Sequence, residues 1–595
     1  MLKRKILGWL ASQRRFIKQR FGTNVILLLL SFFIGVLGAT AAIIIKNLLH
    51  FTTSALSNTF PEAQINYFYL TFPLIGLILT VFFVTRIVKD DLSHGVSIAL
   101  KAICKSNGRL RRHNIYSSMV ASSITVGFGG SVGLEAPIVL TGSAIGSNLA
   151  RLFNLNAKNT TLLLACGSTA ALAAIFKAPV TAIVFAVEVL MLDLTSAAIL
   201  PLLISAATGT VLSILFLGDN VMFSIPYTQS FALKNIPFYI ILGLLTGFIS
   251  VYFLRILRFI EKFFSKMKRK YLKAILGGLA LGTLIFLLPV LFGEGYESIN
   301  ALLNGNIDVL YKASPLYRIS DQHVMFIIFI ILIIFIKVIA SAVTTASGGI
   351  GGVFAPTLFV GAFVGYLVAE VVNYYFGIEI PYINFVLAGM AGVMTGVMLA
   401  PLTATFLIAE VSTGYALLIP LMITSSISYL SVYPFEKYSI YTRKLAEKGD
   451  LKTHNKDKFA LRKLNWLNIV DCDILTIPNH STLRTYTQYI AKSKRNLFVV
   501  VDDDSLFSGL LVMDHHREKI FRQELYDTVC VEDLMIEPEE FIYDTDNCEE
   551  VIDKFNRTGN FNMPVITKDR KYIGFLSKAK LLAVYRDFIA SESED

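Results

Sequence analysis

Charge is scarce in this chain. Asp, Glu, Lys and Arg make up only 16% of its 595 residues, while 54% are hydrophobic. That balance excludes an ordinary soluble globular protein. The five cysteines, Cys104, Cys166, Cys472, Cys530 and Cys548, never fall in C-x-x-C spacing. Neither a disulfide framework nor a zinc site is indicated. The eight histidines are scattered too, and the adjacent pair His515-His516 is poor geometry for one metal ion. The chain lacks a nucleophile–base pairing, an H-E-x-x-H word and a Walker loop, so it is not expected to be an enzyme. It also lacks an arginine-rich helix that would sense voltage. The net charge of +11 is no nucleic-acid footprint, because the basic residues cluster beside apolar runs.

What is present is long apolar sequence. Val25 to Ile45 carries no charge and is long enough to span a bilayer. Tyr67–Thr85, Pro237–Leu254, Ala274–Phe292 and Val324–Val343 are further candidates. Other apolar stretches are shorter and broken by Gly and Pro, a pattern that fits discontinuous helices. Lys3, Arg4, Lys5, Arg14, Arg15, Lys18 and Arg20 precede the first span, and Arg255 to Lys273 carries a second basic cluster. By the positive-inside rule both lie on the cytoplasmic side. The first 23 residues carry no small-residue cleavage site and lead into a full-length span, so no signal peptide is expected.

Two glycine-rich words are related. Aligning Glu135 with Phe354 gives an offset of 219 (354 − 135). It superposes Gly129, Gly130, Gly133, Ala136, Pro137, Gly142, Gly146 and Ala150 on Gly348, Gly349, Gly352, Ala355, Pro356, Gly361, Gly365 and Ala369. A second segment follows each copy: Ala178–Ala182 matches Ala400–Ala404 at an offset of 222 (401 − 179), which also pairs Glu188 with Glu410. The membrane region is therefore an internal duplication, and the charge pattern leaves open whether its halves are parallel or inverted.

Each word ends in proline within a first helical turn, where the missing N–H costs nothing. It therefore marks a helix start whose first N–H groups have no intrahelical partner and which carries partial positive charge. An anion satisfies those donors, and so does the carboxylate of Glu135. Phe354 offers the same donors with no internal anion. An ionisable group in such a region reads as functional. Glu135 can occupy the anion site when ionised and vacate it when protonated; the bland alternative is that it only caps the helix. Glu188 and Glu410, matched in both halves, read as structural groups that satisfy backbone or hydroxyl donors. Lys337, inside an apolar run, receives no role.

These residues resemble the CLC family of chloride channels and chloride/proton exchangers, over most of the chain. Gly133–Pro137 is similar to the family's G-[K/R]-E-G-P word, with Leu134 and Ala136 as departures, and Gly352–Pro356 matches G-x-F-x-P. The resemblance implies that Glu135 gates and that backbone or side-chain groups of Gly95, Val96, Gly133, Leu134, Gly352, Val353, Phe354, Ala355 and Tyr441 form the anion path. Tyr438 is the alternative hydroxyl. His94 falls where the anion-coordinating serine should be, so it either takes part in anion binding or only packs at the pore mouth. Val189 sits where exchangers carry an internal proton-handling glutamate, which leans toward a channel, with proton-coupled exchange as the alternative. The implied fold is an all-α polytopic membrane domain of two repeats with discontinuous helices, plus a cytoplasmic α/β CBS-domain pair.

The expected organisation is a basic cytoplasmic segment 1–23, a membrane domain 24–446 (repeats about 24–257 and 274–435), a linker 447–465 and CBS units 466–525 and 526–595. In the tail, His515 and Lys580 stand where a ribose-binding aspartate is usual, which argues against ordinary nucleotide binding, although Lys580 could contact phosphate. No resident cofactor is expected, and chloride is the transported ligand. The remaining expectations are a homodimer, contact with membrane lipid, no nucleic acid, residence in the plasma membrane and both termini in the cytoplasm. A CBS-regulated divalent cation channel is the remote competitor.

Overall fold

A computed structural model describes residues 22–57, 67–92, 95–193, 195–219, 222–223, 225, 231–307, 310, 323–412, 415–450 and 464–594. The chain divides into two compact units, Met1–Asp450 and Leu451–Asp595.

The first unit is helical. Its principal helices are α1 (Thr23–Ser57), α2 (Phe68–Phe82), α3 (Gly95–Lys105), α4 (Ser117–Gly127), α5 (Glu135–Leu152), α6 (Ala157–Phe176), α7 (Pro179–Glu188) and α8 (Ser196–Leu217). They continue as α9 (Ile236–Ser265), α10 (Lys270–Leu287), α11 (Tyr296–Leu303), α12 (His323–Ala346), α13 (Phe354–Phe376), α14 (Tyr382–Met398), α15 (Pro401–Val411), α16 (Leu418–Val432) and the short α17 (Arg443–Ala446). Among the described residues, nine helical segments are long and apolar enough to cross a membrane. Their outward faces carry large apolar side chains, such as Leu29, Phe32 and Phe33 on α1 and Val324, Ile328 and Phe335 on α12. Lipid is the solvent that accepts such a surface.

The duplication seen in the sequence becomes a geometric symmetry. Gly133 N–H donates to Gly352 C=O at 2.9 Å, and Gly352 N–H donates to Gly133 C=O at 2.7 Å, a two-residue antiparallel bridge between the repeats. The Ile350 N–H donates to Thr125 Oγ1 at 3.1 Å, and its counterpart Ser131 N–H donates to Thr344 Oγ1 at 3.2 Å. Gly129 and Gly348, matched at the same offset, both take left-handed φ, +93° and +109°. The same helix break recurs as well: Lys177 and Leu399, matched at the second offset, end α6 and α14 at φ +56° and +52° before the Ala-Pro starts of α7 and α15.

The direction of the repeats follows from one pair of caps. Glu188, at the C-terminal end of α7, accepts from the N–H groups of Leu402 (3.1 Å) and Thr403 (2.7 Å) and the Thr403 hydroxyl (2.7 Å) at the start of α15. Glu410, near the end of α15, accepts from Val180 N–H (3.1 Å), Thr181 N–H (2.7 Å) and the Thr181 hydroxyl (2.6 Å) at the start of α7. Each carboxylate satisfies orphan donors at the positive end of the other helix. Two helices that cap each other reciprocally are antiparallel and related by a twofold axis perpendicular to both. For helices running across a bilayer that axis lies in the membrane plane, so the repeats are inverted. The structural role expected for both glutamates is what the hydrogen bonds show.

Close approach of backbones holds each repeat together. A methyl added to Gly142 or Gly167 would collide with the other residue's carbonyl oxygen where α5 crosses α6. Gly361 and Gly389 meet in the same way where α13 crosses α14. These are small-residue crossings of the kind that replace hydrophobic driving force in lipid.

The second unit holds two three-stranded sheets of identical topology. In the first, β1 (Thr476–Pro478) runs parallel to β2 (Leu497–Val501), which pairs antiparallel with β3 (Phe507–Val512). In the second, β4 (Ile542–Tyr543) is parallel to β5 (Asn562–Ile566), which is antiparallel to β6 (Tyr572–Ser577). A helix follows the first strand of each, α18 (Leu483–Lys492) and α19 (Cys548–Thr558), and α20 (Lys578–Glu594) follows β6. The two cores interchange segments across residue 525. Leu464 and Trp466 pack with Ile542, Val551 and Phe555, whereas Val531 and Leu534 pack with Ile477, Phe498 and Leu511.

Candidate anion pathway

Three helices begin at one place. The start of α3 presses on the start of α5, since a methyl on Gly95 would sit 2.5 Å from Ala136 C=O. The starts of α5 and α13 are joined by the Gly133–Gly352 bridge two residues before each helix. Tyr441 arrives from the end of the unit, where its carbonyl accepts from Ser97 Oγ on α3 at 3.0 Å. Gly95, Val96, Gly133, Leu134, Glu135, Gly352, Val353, Phe354, Ala355 and Tyr441 therefore gather at the meeting point of helix N-termini. His94 lies outside the described residues.

The donors divide unevenly within this group. The N–H groups of Gly133 and Gly352 are committed to each other. The Leu134 N–H donates to the carboxylate of Glu294 at 3.1 Å. The amides left to face an anion are those of the first helical turns, at Glu135, Phe354 and Ala355. Phe354 is fully buried, with its ring against Phe176 (centroids 5.9 Å apart) and Phe185 (6.0 Å). Tyr441 is 3% exposed, and its hydroxyl has no hydrogen-bond partner in the protein. Tyr438, the other hydroxyl considered, is 46% exposed and points away from such a role.

Glu135 is 1% exposed. Its side chain folds back over Gly133, where a methyl would strike its Oε2. Its Oε1 accepts from the Tyr296 hydroxyl, while Oε2 is buried without a hydrogen-bond partner. The amides of Glu135 itself and of Ala355 stand beside the carboxylate. The carboxylate thus lies over the donors that an anion would use, and Tyr441 is within electrostatic range of it.

Sequence reading missed the turn that bears on this carboxylate. Gly293-Glu294-Gly295-Tyr296 lies 161 residues from Glu135 yet supplies Tyr296 to it. Lys337, which had no role assigned, is fully buried and donates to the carbonyls of Leu291 (3.3 Å) and Gly293 (3.1 Å). Its ammonium also lies 4.6 Å from the Phe359 ring centroid, a cation–π contact. The signal available was a lone glutamate between two glycines at the end of an apolar run.

One relay of hydrolase type occurs at the α3–α4 connection. Asp90 Oδ2 meets His113 Nε2 at 2.9 Å, and His113 Nδ1 meets Ser117 Oγ at 3.1 Å. Ser117 is fully buried at the first position of α4, which gives a substrate no access to it.

Fold and site together define a polytopic membrane protein whose inverted repeats point helix N-termini at a common centre. The family model for voltage gated chloride channels matches residues 75–432, and that for the CBS domain matches residues 531–587. The first spans more than half of the chain, and the chain belongs to that family. It is 28% identical to a putative chloride channel protein ClcB-like from Ralstonia nicotianae, over 60% of this chain and 80% of the relative. It is 30% identical to an H(+)/Cl(-) exchange transporter ClcA from Vibrio campbellii, over 50% of this chain and 62% of the relative. A solved eukaryotic CLC transporter superposes with a TM-score of 0.60 at 18% identity, covering 93% of this chain and 97% of that one, which establishes the shared fold.

Proposed function

We propose that the chain carries chloride or a similar small anion across a membrane through the centre where α3, α5 and α13 begin, as a channel gated by Glu135. The observation that carries this reading is the buried Glu135 carboxylate lying over helix-start amides with one oxygen unpartnered. An ionised Glu135 and a permeant anion are rivals for the same dipolar donors. Protonation removes the charge, weakens its hold on those donors and clears the site. Phe354 shapes the centre, the first-turn amides of α5 and α13 supply positive potential, and the Tyr441 hydroxyl supplies a further donor.

Val189, at the end of α7, supports the channel over the exchanger, because it offers no acid for an inner proton route. Proton-coupled chloride exchange is the second reading, and the relatives include proteins of both names. A divalent cation channel disagrees with converging helix N-termini, which repel cations. We also propose a homodimer with both termini in the cytoplasm of a cell whose plasma membrane holds it. The homodimer rests on the resemblance to the family. A detergent-corrected mass of twice 66.0 kDa by light scattering is expected, and the monomer mass would exclude the dimer. His515 and Lys580, each three residues after the end of its strand, β3 or β6, support a structural rather than nucleotide-binding tail.

Reconstitution into liposomes tests the function. Chloride efflux that rises as external pH falls, with no accompanying proton movement, is expected for the channel. Uphill proton uptake driven by a chloride gradient would replace that reading with the exchanger. Glu135→Ala is expected to keep chloride flux and lose its pH dependence. A variant with the wild-type pH profile would remove Glu135 from the gate.

A further inference from the structure

Glu135 has a second carboxylate for a neighbour. Glu294 lies on the turn between α10 and α11, where Gly293 and Gly295 both adopt left-handed φ of +61° and +87°. Residues with a Cβ rarely take that conformation, so the two glycines fix the turn and the direction of the glutamate between them. The turn is fastened to the Glu135 word at four points. Ser131 Oγ donates to Leu291 C=O at 2.8 Å, and Gly293 N–H approaches Gly129 C=O at 3.5 Å. Glu294 Oε1 accepts from Leu134 N–H at 3.1 Å, and Tyr296 donates to Glu135. Lys337 holds the same turn from α12. Nothing in the Glu135 fold-back needs a second acid there; a neutral side chain could accept from Leu134.

The charges facing this pair are few. Lys46 on α1 is within electrostatic range of both Glu135 and Glu294, and Lys337 is within range of Glu294. Tyr296 and Tyr441 complete the group, and Lys177 is within electrostatic range of Lys46. The two residues differ in exposure: Glu135 is 1% exposed, whereas Glu294 is only partly buried. Two carboxylates in a poorly solvated site cannot both ionise cheaply, so they share protons as a coupled pair.

We propose that Glu294 is the proton-relay residue of the gate, exchanging protons with solvent on one side and with Glu135 on the other. The step balances as a plain transfer. The Glu294 carboxylic acid gives its proton to the Glu135 carboxylate, Glu135 becomes neutral and leaves the anion site, and the Glu294 carboxylate regains a proton from water. The ionised Glu294 also favours the neutral form of Glu135 by repulsion, so its charge sets where on the pH scale the gate responds. This inference rests on Glu135 as the gate, and it uses a carboxylate that the gate itself does not require.

The test is chloride flux from liposomes against external pH for wild type, Glu294→Gln, Glu294→Asp, and Glu294→Gln combined with Glu135→Ala. Glu294→Gln is expected to move the flux profile toward acid by about one pH unit, the size of one coupled carboxylate. Glu294→Asp, which keeps the charge, is expected to return most of the shift. In the Glu135→Ala background Glu294→Gln is expected to change nothing, because the relay acts through Glu135. A Glu294→Gln profile that overlays the wild type overturns the proposal, as does a shift that persists without Glu135. Glu135→Ala alone reports on the gate, so failure of that reading and failure of this one are told apart. If Glu294→Gln does not fold, Glu294→Ala, which also lacks the carboxyl group, and the wild type are measured with and without a permeant buffer acid. Supply of protons by such an acid is expected to raise flux in Glu294→Ala more than in wild type, and equal responses overturn the relay.

Discussion

Replacing Glu410 by alanine removes one acceptor and strands three donors. The carboxylate accepts from Val180 N–H, Thr181 N–H and the Thr181 hydroxyl at 3.1, 2.7 and 2.6 Å. A hydrogen bond to a charged acceptor contributes about 1.5–3 kcal/mol, and losing an N-cap side chain costs about 0.5–2 kcal/mol. The Val180 donor is exposed and can find another partner, so its share is discounted. The expected loss for Glu410→Ala is therefore about 2–3 kcal/mol. Glu188 makes the same three bonds at 3.1, 2.7 and 2.7 Å, so Glu188→Ala is expected to cost the same. The two caps sit at opposite ends of antiparallel helices of ten and eleven residues, roughly 15 Å apart at about 1.5 Å rise per residue. At that separation the double variant is expected to be additive within about 0.5 kcal/mol. Unfolding midpoints in mixed micelles, followed by tryptophan-independent far-UV dichroism, measure all three. A loss below about 0.5 kcal/mol for either single variant, or a difference above about 1.5 kcal/mol between them, would refute the reciprocal-cap argument and the inversion drawn from it.

Other outcomes follow from the anion centre. Tyr441→Phe is expected to leave the unfolding midpoint within about 0.5 kcal/mol of wild type, because its hydroxyl has no protein partner to lose; in liposomes it is expected to weaken chloride against other anions, and unchanged anion preference would remove the hydroxyl from the path. Glu135→Ala and Glu294→Gln, read as flux against pH, separate the gate from its proton supply. The mass of the detergent-solubilised protein decides the homodimer.

The legible part of the site was legible for a local reason. A Gly-rich word ending in proline dictates a helix start whatever surrounds it, so Gly133–Pro137 and Gly352–Pro356 announce two sets of orphan amides and the anomalous Glu135. Choosing Tyr441 over Tyr438 needed burial, since the two are three residues apart and chemically alike. Glu294 and Tyr296 were overlooked because no local pattern ties residue 294 to residue 134; only the turn held by Gly293, Gly295 and Lys337 brings them together. Likewise, the interchange of Trp466 and Val531 between the two tail cores is invisible to a reading that cuts the chain into consecutive units.

The sequence by itself determined that this chain is a duplicated, lipid-embedded helical protein with interrupted helices and one acid at a helix start. Composition, periodic small residues and proline positions are properties of single segments, and they act over a few residues. The tertiary structure alone decided that the repeats run in opposite directions, that Glu188 and Glu410 cap each other's helices, and that a distant turn delivers a tyrosine and a second carboxylate to Glu135. Those outcomes depend on which donor meets which acceptor across separate elements, and only packing in three dimensions makes that choice.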